Sequence, residues 1–391
     1  MTAIELRASF SLASIFALRM LGLFLILPVF ATEAARYPGG DDTVMVGLTM
    51  GMYGLTQALL QFLYGLASDR VGRKRVIVFG LLVSAVGGAV AALAPSLFWL
   101  AVGRAIQGAG AVSAAVTALL ADQTREEVRT KSMALVGASI GLMFALSLVA
   151  APVLAASIGL VGIFALTAGL ALLGVAAVLW WVPAEPQQHK NLPRGKLRDV
   201  LGSAALLRLN LGVFVLHAVQ LAMWLALPAM LVQAGLPQGA HWQVYLPAVL
   251  GSFVLMGGSL FQMEKRGYLR AMFLSSIGVT ALVQLGLWWQ IGREPSLFLL
   301  GLLLFLFFYA FNVLEASQPS MVSRQAPANA RGAAMGVYNT LQSLGLFAGG
   351  MGGGWLMKHG GAHGLFAVCA GLMLLWLALA WPMSANAGKP S

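Results

Sequence analysis

Twelve stretches of about twenty or more mostly apolar residues follow one another along the chain. They lie near 8–32, 43–67, 76–94, 98–121, 133–157, 161–182, 205–233, 242–263, 271–292, 297–322, 334–357 and 364–382. A helix needs about 20 such residues to cross the hydrocarbon core of a bilayer. The runs are continuous and do not alternate in ten-residue segments, so they read as helices and not as barrel strands. The first run carries Arg19 and is too long for a cleaved leader, so it reads as an anchor. The expected fold is an all-α membrane protein with twelve transmembrane helices. Composition agrees: 59% of the residues are hydrophobic and 9% charged, against roughly 25% charged in a soluble protein. A soluble enzyme and a disordered chain are both excluded.

The formal charge of +11 would suggest nucleic acid in a soluble protein. Here its placement gives another reading. An even number of spans puts both termini on one side. That side receives 19 basic residues, including Arg7, Arg70, Arg73, Lys74, Arg75, Arg125, Lys196, Arg266 and Arg331. The other side receives Arg36, Arg293 and Lys358, while Arg19 and Arg104 lie within spans. Basic residues concentrate on the cytoplasmic side of membrane proteins. Both termini are therefore expected in the cytoplasm, and the basic charge serves the membrane and no nucleic acid. One cysteine, Cys369, excludes a disulfide framework, and no metal-ligand spacing appears.

The longest polar stretch, 183–204, falls at the midpoint and reads as a cytoplasmic linker. It divides the chain into six-helix halves at 1–182 and 205–391. Two internal matches support a repeat. Asp69-Arg70-Val71-Gly72 after the second stretch resembles Glu264-Lys265-Arg266-Gly267 after the eighth, at an offset of 195. Arg129-Thr130-Lys131-Ser132-Met133-Ala134 before the fifth resembles Arg331-Gly332-Ala333-Ala334-Met335-Gly336 before the eleventh, at an offset of 202. Pseudo-symmetric repeats with a site between them are a transporter architecture.

Gly65-Leu66-Ala67-Ser68-Asp69-Arg70-Val71-Gly72-Arg73-Lys74 then fits G-x-x-x-D-x-x-G-R-K at every fixed position. This resembles the signature between helices two and three of the major facilitator superfamily. Arg104-Ala105-Ile106-Gln107-Gly108-Ala109-Gly110 in the fourth stretch resembles that superfamily's R-x-x-Q-G-x-G motif. Leu18-Arg19-Met20-Leu21-Gly22 and Phe311-Asn312-Val313-Leu314-Glu315-Ala316 look like the YajR-type branch of bacterial drug:proton antiporters. One departure stands against antiport. The Gly-rich motif common in the fifth span is replaced by Ala138, Ser147, Ala151, Pro152, Ala155 and Ala156. These residues keep the proline and the small size.

The resemblance implies roles. Gly65 and Gly72 would belong to a tight cytoplasmic turn. Asp69 would latch near the start of the eleventh span, a helix N-terminus carrying about half a positive charge. Arg73, beside Lys74, would pair with Asp122 at the end of the fourth span. The plainer reading is a solvated charge cluster that sets topology alone.

Arg19, Arg104 and Glu315 are the charged side chains well inside spans, where each costs a few kcal/mol or more without a partner or cavity. Glu315 is the one deep carboxylate and the best proton carrier, though a permanent Glu–Arg pair is the alternative. By helical rise, Glu315 and Arg104 differ in depth by about 20 Å, whereas Glu315 and Arg19 come within side-chain reach. His217, Gln220 and Trp224 share one face of the seventh span. Asn312 stands a turn before Glu315, and Tyr309 continues that face. Gln107 joins them as a candidate through the fourth-span motif. Tyr53, Gln57, Gln61 and Tyr64 form a stripe on the second span, facing either a cavity or the other half. Glu33 is expected in an outer loop. Gly137-Ala138-Ser139-Ile140-Gly141 fits a hydrolase nucleophile motif but lies inside a span, the wrong context.

The function expected is secondary active transport by alternating access: proton-coupled efflux of small amphipathic compounds, by a monomer that uses the proton gradient and no cofactor. No nucleotide-binding motif is present. Alternatives are a proton-coupled carrier of an anionic metabolite and a non-transporting membrane sensor.

Overall fold

A computed structural model describes residues 1–185, 200–327 and 330–383. Residues 186–199 of the central polar stretch, with its basic residues Lys190, Arg194, Lys196 and Arg198, fall outside them, as do the side chains of Arg129, Thr130 and Glu264. All regular structure among the described residues is helical. The chain divides into two compact units, Met1–Leu192 and Pro193–Ser391.

The first unit contains α1 (Ala3–Phe24), the short α2 (Phe30–Ala34), α3 (Thr43–Val71), α4 (Arg73–Ala92), α5 (Leu97–Ala109), α6 (Ser113–Asp122) and α7 (Glu126–Trp180). The second contains α8 (Ala204–Gln233), a 3₁₀ turn (Gln238–Ala240), α9 (Trp242–Lys265), α10 (Leu269–Gln290), α11 (Leu297–Gln325) and α12 (Arg331–Ala380). Among the described residues, nine helical segments are long and apolar enough to cross a membrane. Their outward faces carry large apolar side chains such as Phe62, Phe79, Leu93 and Phe298. Lipid accepts such exposed apolar side chains.

Polar residues at the ends start several helices. Thr2 and Glu5 form a reciprocal capping box on α1, and Asp42, Ser203 and Ser296 each accept a backbone N–H at the start of α3, α8 and α11. Two long helices change direction at glycine. Gly159 in α7 has φ 63° and ψ −173°, and Gly361 in α12 has φ 58° and ψ −164°. These points fall between the fifth and sixth apolar stretches and between the eleventh and twelfth. Such backbone is essentially restricted to glycine.

Two stretches differ from the continuous helices expected. The first gives α1, then a turn through Pro28, then α2. Proline lacks the N–H that would continue the ladder. The fourth breaks at Gly110-Ala111-Val112 into α5 and α6. At that break Gly110 lies tight against the Gly80 carbonyl and Ser84 of α4, leaving no room for a Cβ.

Handedness exposes a repeat. Seven glycines among the described residues have positive φ, and six of them pair: Gly39 with Gly235, Gly72 with Gly267, and Gly159 with Gly361. The separations are 196, 195 and 202 residues. A capping contact repeats too. Lys74 Nζ donates to the Val182 carbonyl in the first unit, and Arg270 Nε to the Met383 carbonyl in the second. Each places a cation at a helix C-terminus, where the dipole favours it.

Packing in the first unit centres on Leu12, Phe16, Ile77, Leu81, Val116, Leu119 and Val178, contributed by α1, α4, α6 and α7. In the second, α12 lies along α8 through Gly345, Gly349 and Gly353. An added Cβ at Gly345 or Gly349 would run into the Phe214 or Ala218 backbone. These glycines serve close helix approach.

Candidate functional site

The signature residues of the first unit meet where α3 ends and α4 begins. Gly72 has φ 111°, which permits the turn between them. Arg73 then bridges two carboxylates, with Nη1 2.6 Å from Asp69 Oδ1 and Nε 3.0 Å from Asp122 Oδ2. It also donates to Ser68 Oγ at 2.7 Å. The Lys74 backbone N–H donates to Glu185, a contact that no sequence motif anticipates. Gly65 packs beside Ala114 of α6. One guanidinium thus ties the ends of α3, α4 and α6 together.

Deeper in this unit lies a polar cluster built on α1, α3, α5 and α6. Arg19 donates to Ser113 Oγ at 2.5 Å, Tyr53 Oη at 2.7 Å and Gln57 Oε1 at 2.6 Å. The second-span stripe is therefore divided: Tyr53 and Gln57 hold Arg19, while Tyr64 packs into the apolar core. Arg104 is 1% exposed and donates to Gln107 Oε1 at 3.1 Å. Gln107 in turn donates to Thr167 Oγ1 at 2.9 Å. Both guanidiniums lie over Tyr53, Arg104 at 4.8 Å and Arg19 at 5.9 Å from its ring centroid. Depth along the sequence does not by itself reveal this convergence of Arg19 and Arg104. Glu315 belongs to the other unit.

The second unit holds a network centred on His217 of α8. Nδ1 faces the Val213 carbonyl at 3.0 Å, Gln342 Nε2 stands 2.8 Å from His217 Nε2, and Glu315 Oε1 lies 3.4 Å from the same nitrogen. With Nδ1–H donating to Val213, a neutral ring leaves Nε2 as acceptor for the Gln342 amide. A protonated ring instead turns an N–H toward Glu315. The tautomer and amide orientation are assigned from these bonds. The Glu315 side chain keeps 32% of its surface, while its Oε1, the oxygen facing His217, is buried. Gln342 is not among the sequence candidates; its place one helix away, on α12, is invisible to spacing.

The remaining candidates divide. Asn312 Nδ2 donates to Ser252 Oγ on α9 at 3.1 Å, which ties it to that helix and not to Glu315. Tyr309 Oη meets Ser259 Oγ at 3.1 Å. Trp224 is fully buried edge-on against Tyr245, and Gln220 is buried on the same helix. Glu33 is not a loop residue. It is 3% exposed on α2 and pairs with Arg36 at 3.0 Å. Ser139 of the nucleophile-like motif bonds the Val136 carbonyl inside α7, so it sits in helix as the rejected motif required.

Both clusters are thus polar groups held between long apolar helices, beside an intact loop signature. A family model for the Major Facilitator Superfamily matches residues 12–350 and 262–390. The chain belongs to that superfamily. This superfamily member is 39% identical over 387 residues to the inner membrane transport protein YajR of Escherichia coli K12, covering 98% of this chain and 84% of that one. It is 28% identical to the multidrug resistance protein MdtH of Klebsiella pneumoniae strain 342, over 88% of this chain and 85% of that one. Among solved structures, the human organic anion transporter MFSD10 aligns with TM-score 0.71 at 21% identity, over 96% of this chain and 99% of that one. The nucleoside transporter NupG, solved as a mutant, aligns with TM-score 0.74 at 13% identity, over 96% and 99%. At such identity these two establish the fold alone. This superfamily member is a multi-pass membrane transporter of small molecules and not an enzyme.

Proposed function

We propose that the protein is a proton-coupled antiporter that exports small, partly apolar compounds by alternating access. The proposal includes twelve spans, both termini in the cytoplasm and placement in the inner membrane. It also includes operation as a monomer with no resident cofactor. The observation that carries it is the His217–Glu315 pair with Gln342. A carboxylate and an imidazole that share one contact form a unit able to take up and release a proton, and the amide accepts either state by turning over. The MdtH relative supports multidrug export, and the YajR relative supports the inner membrane.

A second reading is proton-coupled carriage of an anionic metabolite. It is favoured by Arg19 and Arg104, which meet no carboxylate among the described residues of their own unit.

The test is reconstitution in liposomes with a panel of lipophilic cations, neutral amphiphiles and organic anions, following internal pH. Proton movement opposite to substrate supports the antiporter. Co-movement rejects it, and acceptance of anions alone selects the second reading. Glu315→Gln is expected to lose at least tenfold in proton-driven flux while still inserting. Intact coupling in that variant would remove Glu315 as the sole carrier.

A further inference from the structure

Two arginines buried around one tyrosine, with no carboxylate beside them among the described residues, pose an electrostatic question. Taking each cation out of water is costly unless a partner or ligand compensates it. The Tyr53 ring offsets part of it through cation–π contact with both guanidiniums. Neutral partners supply the rest of the known contacts: Ser113, Tyr53 and Gln57 for Arg19, and Gln107 for Arg104. Nε of both arginines has no hydrogen-bond partner among the described residues. Positive charge therefore outweighs its compensation.

The same place holds a gap and a helix end. A cavity of about 30 Å³ is lined by Arg19, Arg104, Tyr53, Ser84, Gln107 and Thr167, among others. Beside it the fourth stretch breaks, and α6 begins at Ser113, whose hydroxyl touches Arg19. The first N–H groups of a helix lack helical partners and carry partial positive charge. A half-helix starting inside a membrane domain presents that charge to an anionic group.

We propose that this cavity binds one small anionic group between Arg19 and Arg104. Its size admits a single ion or group not much larger than water. An occupant of this size is a halide such as chloride or one carboxylate of a larger solute. Arg19 and Arg104, which both line the cavity, supply the positive charge. The inference extends the second reading above but does not depend on the direction of proton movement.

The test uses the purified full-length transporter in detergent. Thermal unfolding is followed by tryptophan fluorescence while sodium methanesulfonate is replaced by sodium chloride or sodium acetate at constant ionic strength. A ligand tenfold above its Kd is expected to raise Tm by about 3 °C, with saturation. Arg104→Gln should abolish that rise. Anomalous scattering from bromide-soaked crystals of the unaltered protein gives a second readout that needs no variant, and expects a peak beside both guanidiniums. Chloride stabilisation with a bromide peak identifies a free halide. Acetate stabilisation without a chloride effect identifies a carboxylate carried by the solute. No saturable rise with either salt and no bromide peak overturns the proposal, as does a rise that Arg104→Gln leaves unchanged without a peak. None of these results alters the internal-pH assay, so the two readings fail separately.

Discussion

At the scale of single residues, the environment separates groups that the sequence presents alike. His217 and His241 are both buried, yet only His217 has a carboxylate beside it among the described residues. His241, in the connection before α9, contacts the Leu236 carbonyl at 3.2 Å and Tyr245 Oη at 3.5 Å. Burial holds its pKa down at about 4. The folded protein thus keeps this ring neutral, whereas the unfolded chain takes the proton near pH 6.5. Stability from this group is complete above about pH 6.5 and declines as the pH falls toward 4. The Tm measured in detergent should therefore fall between pH 7 and pH 5, and His241→Gln should flatten that fall. An unchanged slope in the variant would assign the acid sensitivity elsewhere. Asn312 makes the same point in another way. One turn of helix places it near Glu315 in sequence, but its amide goes to Ser252 on a neighbouring helix.

At the scale of elements, apolar length predicts where helices lie but not where they stop. The fourth stretch is mostly apolar apart from Arg104 and Gln107, and its interruption at Gly110-Ala111-Val112 follows from contact with α4, which a single stretch does not reveal. The turn after α1 is more legible, because Pro28 stands there. Gly159 and Gly361 look like ordinary small residues between apolar stretches; only their dihedrals disclose their function as joints. Gly159→Ala is expected to cost about 1–3 kcal/mol, from backbone strain alone. Nothing lies within 4 Å of the added methyl, so packing does not contribute. Thermal unfolding of the variant in detergent checks this; an unchanged Tm would mean that the turn readily adopts another path.

At the scale of the whole molecule, the fold class and the loop signature are legible because bilayer thickness and motif spacing act along the chain. Arg73 and Asp122 stand at the ends of short connections, so the motif brings them into view together. The convergence of Arg19 and Arg104 on Tyr53 joins three helices, and Gln342 reaches His217 across 125 residues; no local pattern carries either. Two expectations belong to this scale. Asp69→Asn should abolish transport while insertion and yield stay normal, as measured by flux in liposomes at matched protein. Normal flux would reduce Asp69 to a topological charge. With Cys369 replaced by alanine, Arg36→Cys should react with an impermeant maleimide in intact cells and Arg266→Cys only after lysis. The reverse pattern would invert the proposed orientation. The paired left-handed glycines have a further consequence when viewed as stereochemistry. At Gly159 and Gly361 open space surrounds the α-carbon, so mirror-image preference alone selects glycine. The chain behaves there as if a D-amino acid were called for. A D-alanine placed there by semisynthesis has the mirror-image backbone preference that each turn requires, and by narrowing the unfolded ensemble it would stiffen a joint that an L-residue strains.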